Sequence, residues 1–250
     1  MKLAKLNGGA EIFFTVQGEG RNIGRPAVFV RTSMCNLHCV WCDTDYTWNW
    51  VGTSFPHVRD SEPGYAKYVR AEQIVELSPE EVAEEVAKYS CRHVVMTGGE
   101  PLVHQADWVA MMDVLRARDA AYYFEVETNG TLLPRDDFDA RMNQYNVSPK
   151  LSNAGVAELR RIKEGPLRYF ATSNKAWFKF VVENESNLAE VDELVARFHI
   201  DPRRVYLMPQ GTDVETLDAR AAWLAEACMQ RGYALSDRLH VRLYGAKRGV

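Results

Sequence analysis

The chain has 250 residues, a formal net charge of −4 and 46% hydrophobic residues, which suits one globular domain with a full apolar core. An acidic balance argues against a surface that neutralises phosphates, so we expect no direct nucleic-acid partner. No stretch has the character of a membrane span or a signal peptide, so we expect a cytoplasmic protein without a membrane partner.

Strand-like and helix-like segments alternate along most of the chain. The clearest helix start is at Ser78, because Ser78 can cap the helix, Pro79 suits its first turn and Glu81 completes a capping box. The other predicted segments are a strand at 93–96, a helix marked by Trp108, Met111, Met112 and Leu115, strands at 121–126 and 146–148, a strand at 177–182, a helix at 188–198, a strand at 205–208, a helix at 213–231 and a last strand at 240–243. This alternation predicts an α/β fold with a parallel sheet, whose ligands bind at the carboxyl ends of the strands.

Two stretches interrupt the alternation. One is a long segment at about 47–70, which contains many aromatic residues, and the other is an irregular segment at 151–176. Loops of this length in a compact domain are usually functional or mobile. No linker divides the chain, so we expect a single domain over residues 1–250.

Three of the five cysteines, Cys35, Cys39 and Cys42, lie in a C-x3-C-x2-C motif. Three thiolates on one short loop can hold three irons of an iron-sulfur cube and leave the fourth iron open for chemistry. Zinc is an alternative, with His38 or His57 as the fourth ligand, although no second C-x2-C pair is present to close such a site. An odd number of cysteines fits metal ligation better than a disulfide framework.

With an aromatic residue, Trp41, before its last cysteine, the motif resembles the signature of radical S-adenosylmethionine (SAM) enzymes. The resemblance implies a [4Fe-4S] cluster on the three cysteines, with SAM on the open iron and a 5′-deoxyadenosyl radical as the reactive species. It also implies an incomplete TIM-type (β/α) barrel of about six mainly parallel strands, with the cluster loop, 35–42, after the first strand. The segment Thr97–Pro101, Thr-Gly-Gly-Glu-Pro, supports it, because adjacent glycines let backbone approach a ligand closely.

Further motifs narrow the resemblance to the 7-carboxy-7-deazaguanine synthase family of queuosine biosynthesis. They are Glu11–Gly20 with its Gln-Gly-Glu-Gly run, Arg25–Arg31, Cys42-Asp43-Thr44, Glu127–Gly130, Ser148-Pro149-Lys150, Leu239-His240 and Gly245–Val250. These matches extend from residue 11 to residue 250.

The resemblance implies roles for individual residues of this chain. The substrate pocket would contain Val16, Gln17, Gly18, Glu19, Arg31, Thr97, His240 and the carboxylate of Val250. SAM would contact Gly99, Glu127, Ser148, Pro149, Lys150, Met208, Pro209, Gln210 and Gly211. Thr44 would bind Mg²⁺, and the tail 244–250 would close the substrate site.

These residue types suit a pterin, since Gln17 and Glu19 can pair with its polar edge and Arg31 offers a fork for a carboxylate. Lys179 is a further candidate, because it interrupts an apolar strand.

The implied reaction is the Mg²⁺-dependent conversion of 6-carboxy-5,6,7,8-tetrahydropterin to 7-carboxy-7-deazaguanine with loss of ammonia. The family also implies a homodimer and an electron donor such as flavodoxin. Two alternatives stay open at this point. One is a radical SAM activase of a glycyl-radical enzyme, which shares the cysteine spacing, and the other is a zinc-stabilised binding module without catalysis.

Overall fold

The computed structural model describes residues 1–250 and contains one eleven-stranded sheet flanked by helices. The strands are β1 (Lys2–Leu6), β2 (Gly9–Ala10), β3 (Ile12–Val16), β4 (Pro26–Thr32), β5 (Ile74–Glu76), β6 (His93–Gly98), β7 (Tyr123–Thr128), β8 (Gln144–Val147), β9 (Ala176–Val182), β10 (Val205–Pro209) and β11 (Ala234–Leu235). The helices are α1 (Arg70–Gln73), α2 (Pro79–Ala87), α3 (Gln105–Arg118), α4 (Asp136–Asp139), α5 (Glu158–Arg161), α6 (Glu164–Thr172), α7 (Glu185–Phe198), α8 (Val214–Arg231) and α9 (Leu239–Tyr244).

The main part of the sheet is parallel, in the order β11-β10-β9-β8-β7-β6-β4. Six of these strands have four residues or more, and β11 adds a two-residue edge. The predicted fold class, an incomplete barrel of about six mainly parallel strands, is confirmed. Four antiparallel strands, β1, β2, β3 and β5, were not predicted, and three of them precede β4. The cluster loop therefore follows the first parallel strand, which is the fourth strand of the chain.

The two faces of the parallel strands differ in polarity. On β7, Phe124 and Val126 are fully buried in the apolar core beneath the helices. Glu125 and Glu127 point to the opposite, inner face, because side chains alternate along a strand. Lys179 on β9 lies on the same inner face, where it contacts Glu127. The inside of the partial barrel is consequently lined with polar groups.

A hydrogen-bond network fills the lower part of this inner face. The fully buried carboxylate of Glu125 accepts hydrogen bonds from Gln17 and Asn22, each at 2.6 Å, and from Asn146 at 2.5 Å. His93 Nε2 lies 2.8 Å from the same carboxylate. Burial would raise the pKa of Glu125, but its hydrogen-bond partners lower that pKa, and His93 has the largest effect among them. These polar groups are satisfied by one another, so the space that a ligand can use lies above them, toward the strand ends.

The last predicted strand, 240–243, is wrong, since these residues lie in α9. Four residues with alternating polarity do not distinguish a strand from one helical turn. Here tertiary contacts favour the helix. Leu239 N donates to Gly18 O at 2.9 Å, and Arg242 pairs with Asp218 at 2.7 Å.

The segment 151–176 is less irregular than predicted, because it contains α5 and α6. Gly165 and Pro166 suggest a loop, yet they lie in the first turn of α6. Proline is tolerated there because the amide hydrogen that it lacks would have no partner within the helix.

None of the helices combines the length and the apolar character that crossing a membrane requires.

Ser78 caps α2 as predicted. Its Oγ accepts from Glu81 N at 3.1 Å, and Ser78 N donates to the Glu81 carboxylate at 2.7 Å. We expect Ser78→Ala to lower the free energy of unfolding by about 1 kcal/mol, because the first turn loses its side-chain acceptor. Urea unfolding followed by circular dichroism measures this change. Ser61→Ala is the control, since Ser61 Oγ is exposed and donates only to Val58 O; equal losses in both variants would contradict the assignment.

Candidate active site

One cavity lies at the carboxyl ends of the parallel strands. Every residue to which the resemblance gives a role borders it, except Pro149. The structure therefore brings together motifs that are spread from residue 16 to residue 250. This finding shows where the residues lie. The contacts that they make with ligands stay predictions.

The three cysteines of the motif border this cavity. Cys39 is buried, and Cys35 and Cys42 are half-buried. Burial raises the pKa of all three thiols, to about 12 for Cys39, and at Cys35 the negative charge of Glu100 and then that of the other two cysteines add to this effect. In the free protein the thiols are accordingly protonated. A cationic metal centre would reverse that preference, because metals bind thiolates.

The cluster loop rests on the segment that follows β8. Val40 N donates to Ala154 O at 3.0 Å, and Trp41 Nε1 donates to Asn153 O at 2.8 Å. Gly155 has a φ of +68°, and a Cβ there would lie 2.6 Å from a methyl group of Val40. Part of the predicted irregular segment 151–176 thus supports the cluster loop directly.

The long segment 47–70 covers the cluster loop from outside. His57 Nε2 lies 2.9 Å from Cys42 O, and Val58 N donates to Val40 O at 2.7 Å. His38 stacks on Phe55 with a ring-centroid distance of 3.5 Å. Neither histidine, considered above as a zinc ligand, borders the cavity.

Positions 98 and 99 have no room for a side chain, because the backbone that leads into Cys35 passes directly beside them. Gly99 N donates to Thr32 O at 3.1 Å. A Cβ on Gly98 would lie 2.1 Å from Thr32 O, and one on Gly99 would lie 2.1 Å from Met34 O. We predicted that the missing side chains of these glycines let a ligand approach closely. The structure shows that they let the backbone of residues 32–34 approach closely. Both also border the cavity.

Glu100 is a positioning residue that sequence analysis missed. Its carboxylate is fully buried and accepts from Leu102 N at 3.0 Å, Thr128 Oγ1 at 2.8 Å and Asn129 N at 2.7 Å. Asn129 Nδ2 in turn donates to Asn36 Oδ1 in the cluster loop at 2.8 Å. Glu100 thus joins the ends of β6 and β7 to the cluster loop. The sequence feature that could have indicated this role is an acidic residue directly after a glycine pair at the end of a strand.

A buried group of charged side chains borders the cavity. Lys179 Nζ lies 2.9 Å from Glu127 and also contacts the Glu19 carboxylate. Burial would lower the pKa of Lys179, but the carboxylates of Glu127 and Glu19 outweigh it and raise that pKa, so the ammonium is charged. Burial raises the pKa of Glu127, whereas Lys179 and Arg238 hold the pKa of Glu19 low against the effect of burial. Lys179, a candidate from the sequence, thus borders the cavity.

Arg238 extends this charged group to the cluster loop, and it was not predicted. Its Nε donates to Glu19 at 3.1 Å, and its terminal nitrogens contact Asp43 and Gly211 O. Asp43 and Arg238 are 195 residues apart in the chain, so no local pattern indicates the pair.

Glu11 holds together three side chains beside the cavity, and this role was also missed. One carboxylate oxygen accepts from Arg31 Nε at 2.8 Å and Tyr46 OH at 3.1 Å, and the other accepts from Arg248 at 2.8 Å. Burial raises the pKa of Glu11, but the two arginines overcome this and lower it. Arg248 also lies over the Tyr46 ring at 3.5 Å, and Val250, two residues later, borders the cavity. Arg31 borders the cavity, and its side chain makes no hydrogen bond within the chain other than the one from Nε to Glu11.

Gly18 and His240 are in close contact. A Cβ on Gly18 would lie 2.1 Å from His240 Nδ1, so only glycine fits beside this imidazole. Burial lowers the pKa of His240, which keeps the ring neutral at neutral pH. A neutral ring can both donate and accept hydrogen bonds toward a ligand.

Two further predicted positions lie close to the cysteines. Thr44 Oγ1 is 3.5 Å from Cys42 Sγ. Lys150 Nζ donates to Ser148 Oγ at 3.0 Å and lies 5.7 Å from the centre of the Trp41 ring.

Comparison with known proteins decides the family. The radical SAM superfamily model matches residues 29–173. The 7-carboxy-7-deazaguanine synthase of Pyrobaculum aerophilum is 38% identical over 241 residues, covering 96% of this chain and 95% of that protein. That of Rhodopirellula baltica is 36% identical, covering 96% of this chain and 88% of that protein. The crystal structure of QueE from Escherichia coli has a TM-score of 0.65 and 28% identity, with 92% of each chain covered.

The chain belongs to the 7-carboxy-7-deazaguanine synthase family. As a member it is a radical SAM enzyme, and the two alternatives, the glycyl-radical activase and the zinc-stabilised binding module, are wrong. Family membership implies a [4Fe-4S] cluster and SAM, and Mg²⁺ is consistent with it.

The residues of the chain fit the cluster. Three thiols of one loop border a cavity that also contains the polar groups expected to contact SAM. No group of three or more His, Cys, Asp and Glu side chains converges on one point as a single ion would require. A cluster binds each thiolate at a different iron atom, so it needs no such convergence.

Gly99→Ala tests the contact that carries the cluster loop. The added methyl group would displace Met34 O, so we expect about 1–3 kcal/mol of destabilisation and a lower iron and sulfide content after anaerobic reconstitution. Gly165→Ala is the matched control, because a Cβ on Gly165 meets nothing within 4 Å. Iron and sulfide contents equal to wild type in Gly99→Ala would show that the cluster loop does not depend on this contact.

Proposed function

We propose that the chain binds SAM and 6-carboxy-5,6,7,8-tetrahydropterin side by side in this cavity and converts the pterin to 7-carboxy-7-deazaguanine with loss of ammonia. The observation that carries the proposal is that the cysteine thiols, the Gly98-Gly99 turn, Arg31 and Lys179 all border one cavity. The relatives named for this activity cover nearly the whole chain, which supports the same reaction.

The cluster end of the cavity suits SAM. When bound, the cluster supplies the electron that cleaves SAM and so generates the radical that abstracts hydrogen from the substrate. The protein contributes hydroxyl, ammonium and backbone groups there, from Ser148, Lys150, Gly99 and the segment 208–211. Pro149 would act indirectly, by shaping the turn between Ser148 and Lys150.

Other groups that border the cavity suit a flat, polar substrate with a carboxylate. The terminal nitrogens of Arg31 are free and form the planar fork that matches a carboxylate. Glu11 holds this fork in place through Nε. The neutral ring of His240 and the pair of Glu19 and Lys179 supply donors and acceptors for the ring edge. Because these side chains are already ordered by one another, they can orient the substrate with little reorganisation.

Thr44, which also borders the cavity, would bind Mg²⁺. A hydroxyl alone is a weak ligand for this ion, so substrate oxygens and water must complete the coordination. Asp43, beside Thr44, is already paired with Arg238.

The reaction is tested by anaerobic turnover of the reconstituted enzyme with the pterin, SAM, Mg²⁺ and dithionite, with product mass as the readout. We expect 7-carboxy-7-deazaguanine, and no product when SAM or the pterin is omitted. SAM cleavage with no deazaguanine in the complete mixture would contradict the proposed substrate.

Arg31→Gln tests the carboxylate contact. Losing a charge-assisted hydrogen bond costs about 1.5–3 kcal/mol, so we expect the KM for the pterin to rise roughly tenfold to a hundredfold with SAM binding retained. Arg25→Gln is the control, because Arg25 is exposed and lies outside the cavity. An unchanged KM in Arg31→Gln would assign the substrate carboxylate to another group.

We also propose a homodimer, a cytoplasmic location and a flavodoxin-type electron donor. The resemblance to the family supports the dimer and the donor, and the acidic composition without an apolar span supports the location. Light scattering tests the dimer, turnover driven by reduced flavodoxin instead of dithionite tests the donor, and cell fractionation tests the location.

A further inference from the structure

The long segment 47–70 contacts the cluster loop through two hydrogen bonds. Val58 N donates to Val40 O at 2.7 Å, and His57 Nε2 lies 2.9 Å from Cys42 O. A carbonyl oxygen can only accept, so His57 carries a hydrogen on Nε2 and donates it. The segment therefore binds the backbone on both sides of Trp41, in the last part of the cysteine motif.

His57 is oriented for this contact. It is 5% exposed, and its side chain caps the short helical turn Val58–Ser61, because Nδ1 accepts from Arg59 N at 3.3 Å. In return, His57 N donates to the Asp60 carboxylate at 2.9 Å. With Nδ1 occupied by the turn, Nε2 is directed at the cluster loop. The same turn positions the second donor, since Val58 is its first residue.

The segment is also fixed where it begins and ends. Val51 N donates to Tyr68 O at 2.9 Å, and Tyr68 N donates to Asn49 O at 3.1 Å. The hydroxyl of Tyr65 donates to the buried carboxylate of Asp45 at 2.6 Å. The two hydrogen bonds to the cluster loop thus come from a segment that its own contacts hold in place.

We propose that His57 and Val58 hold the cluster loop closed and thereby protect the assembled [4Fe-4S] cluster from loss. Neither residue borders the cavity, so both act through the cluster loop alone. Proteins open locally, and a cluster meets oxygen and solvent whenever its loop opens. Each hydrogen bond reduces the population of the open loop, because opening leaves a buried carbonyl group without its donor. His57 is accordingly a positioning residue for the backbone of Cys42.

The variants His57→Asn and His57→Gln test the side-chain contact. Both amides are donors, but only that of Gln extends as far as Nε2. We expect the Val58 amide hydrogen to exchange roughly tenfold faster in His57→Asn and to return to near the wild-type rate in His57→Gln. Hydrogen exchange of the cluster-free protein, followed by mass spectrometry, measures these rates. The Leu239 amide, which donates to Gly18 O at 2.9 Å, is the internal reference.

The second measurement is the lifetime of the reconstituted cluster in air, followed by its visible absorbance. We expect this lifetime to shorten roughly tenfold in His57→Asn and to be restored in His57→Gln, in proportion to the exchange rates. An unchanged exchange rate or an unchanged lifetime in His57→Asn would overturn the inference. So would a lifetime in His57→Gln as short as that in His57→Asn.

Val58→Pro decides if His57→Asn does not fold. Proline lacks the amide hydrogen that Val40 O accepts, and its fixed φ suits the first residue of a helical turn after the extended backbone of His57. Val58→Ala is the matched control, because the Val58 side chain is exposed. A roughly tenfold shorter cluster lifetime in Val58→Pro than in Val58→Ala supports the inference, and equal lifetimes overturn it.

The inference rests on the cluster of the proposed function but needs no pterin. Hydrogen exchange and cluster lifetime are both measured without turnover. Failure of the inference and failure of the proposed reaction are therefore distinguishable.

Discussion

Two backbone segments, 32–34 and 98–100, lie in direct contact, and the geometry of the site depends on that contact. Gly99 N and Glu100 N donate to Thr32 O and Met34 O at 3.1 and 2.9 Å, at a separation that leaves no room for a Cβ on Gly98 or Gly99. Through this contact the chain entering the cluster loop is fixed to the end of β6. The buried carboxylate of Glu100 extends the connection to β7. The cysteines are therefore held over the polar interior of the barrel.

The charges in that interior are arranged so that each has a partner. Burying an ion without a partner is costly, and here Glu19 and Glu127 share Lys179, while Glu11 joins Arg31 to Arg248. The apolar core lies on the other side of the sheet and supplies the stability of the fold. Because the apolar core and the polar face lie on opposite sides of the sheet, the inner face can keep charged groups that an apolar core would exclude.

The sequence predicted the fold class and the composition of the cavity well, because the motifs lie at the ends of parallel strands, which meet at one edge of a sheet. Lys179 could be found because it interrupts an apolar strand. Arg238 could not, since its partner Asp43 is far away in the chain and only the folded structure pairs them. Helix α9 was predicted as a strand because so short a segment follows its tertiary contacts, and Glu11 gained its role only from the packing of Arg248 against it.

We propose that the cluster, SAM and the pterin share the cavity above this polar interior. An anaerobic crystal structure of the reconstituted protein with SAM and 6-carboxytetrahydropterin tests it most directly. We expect a [4Fe-4S] cluster bound by Cys35, Cys39 and Cys42 alone, SAM at its fourth iron, and the pterin carboxylate on Arg31. A fourth protein ligand on the cluster, or a pterin bound outside this cavity, would contradict it.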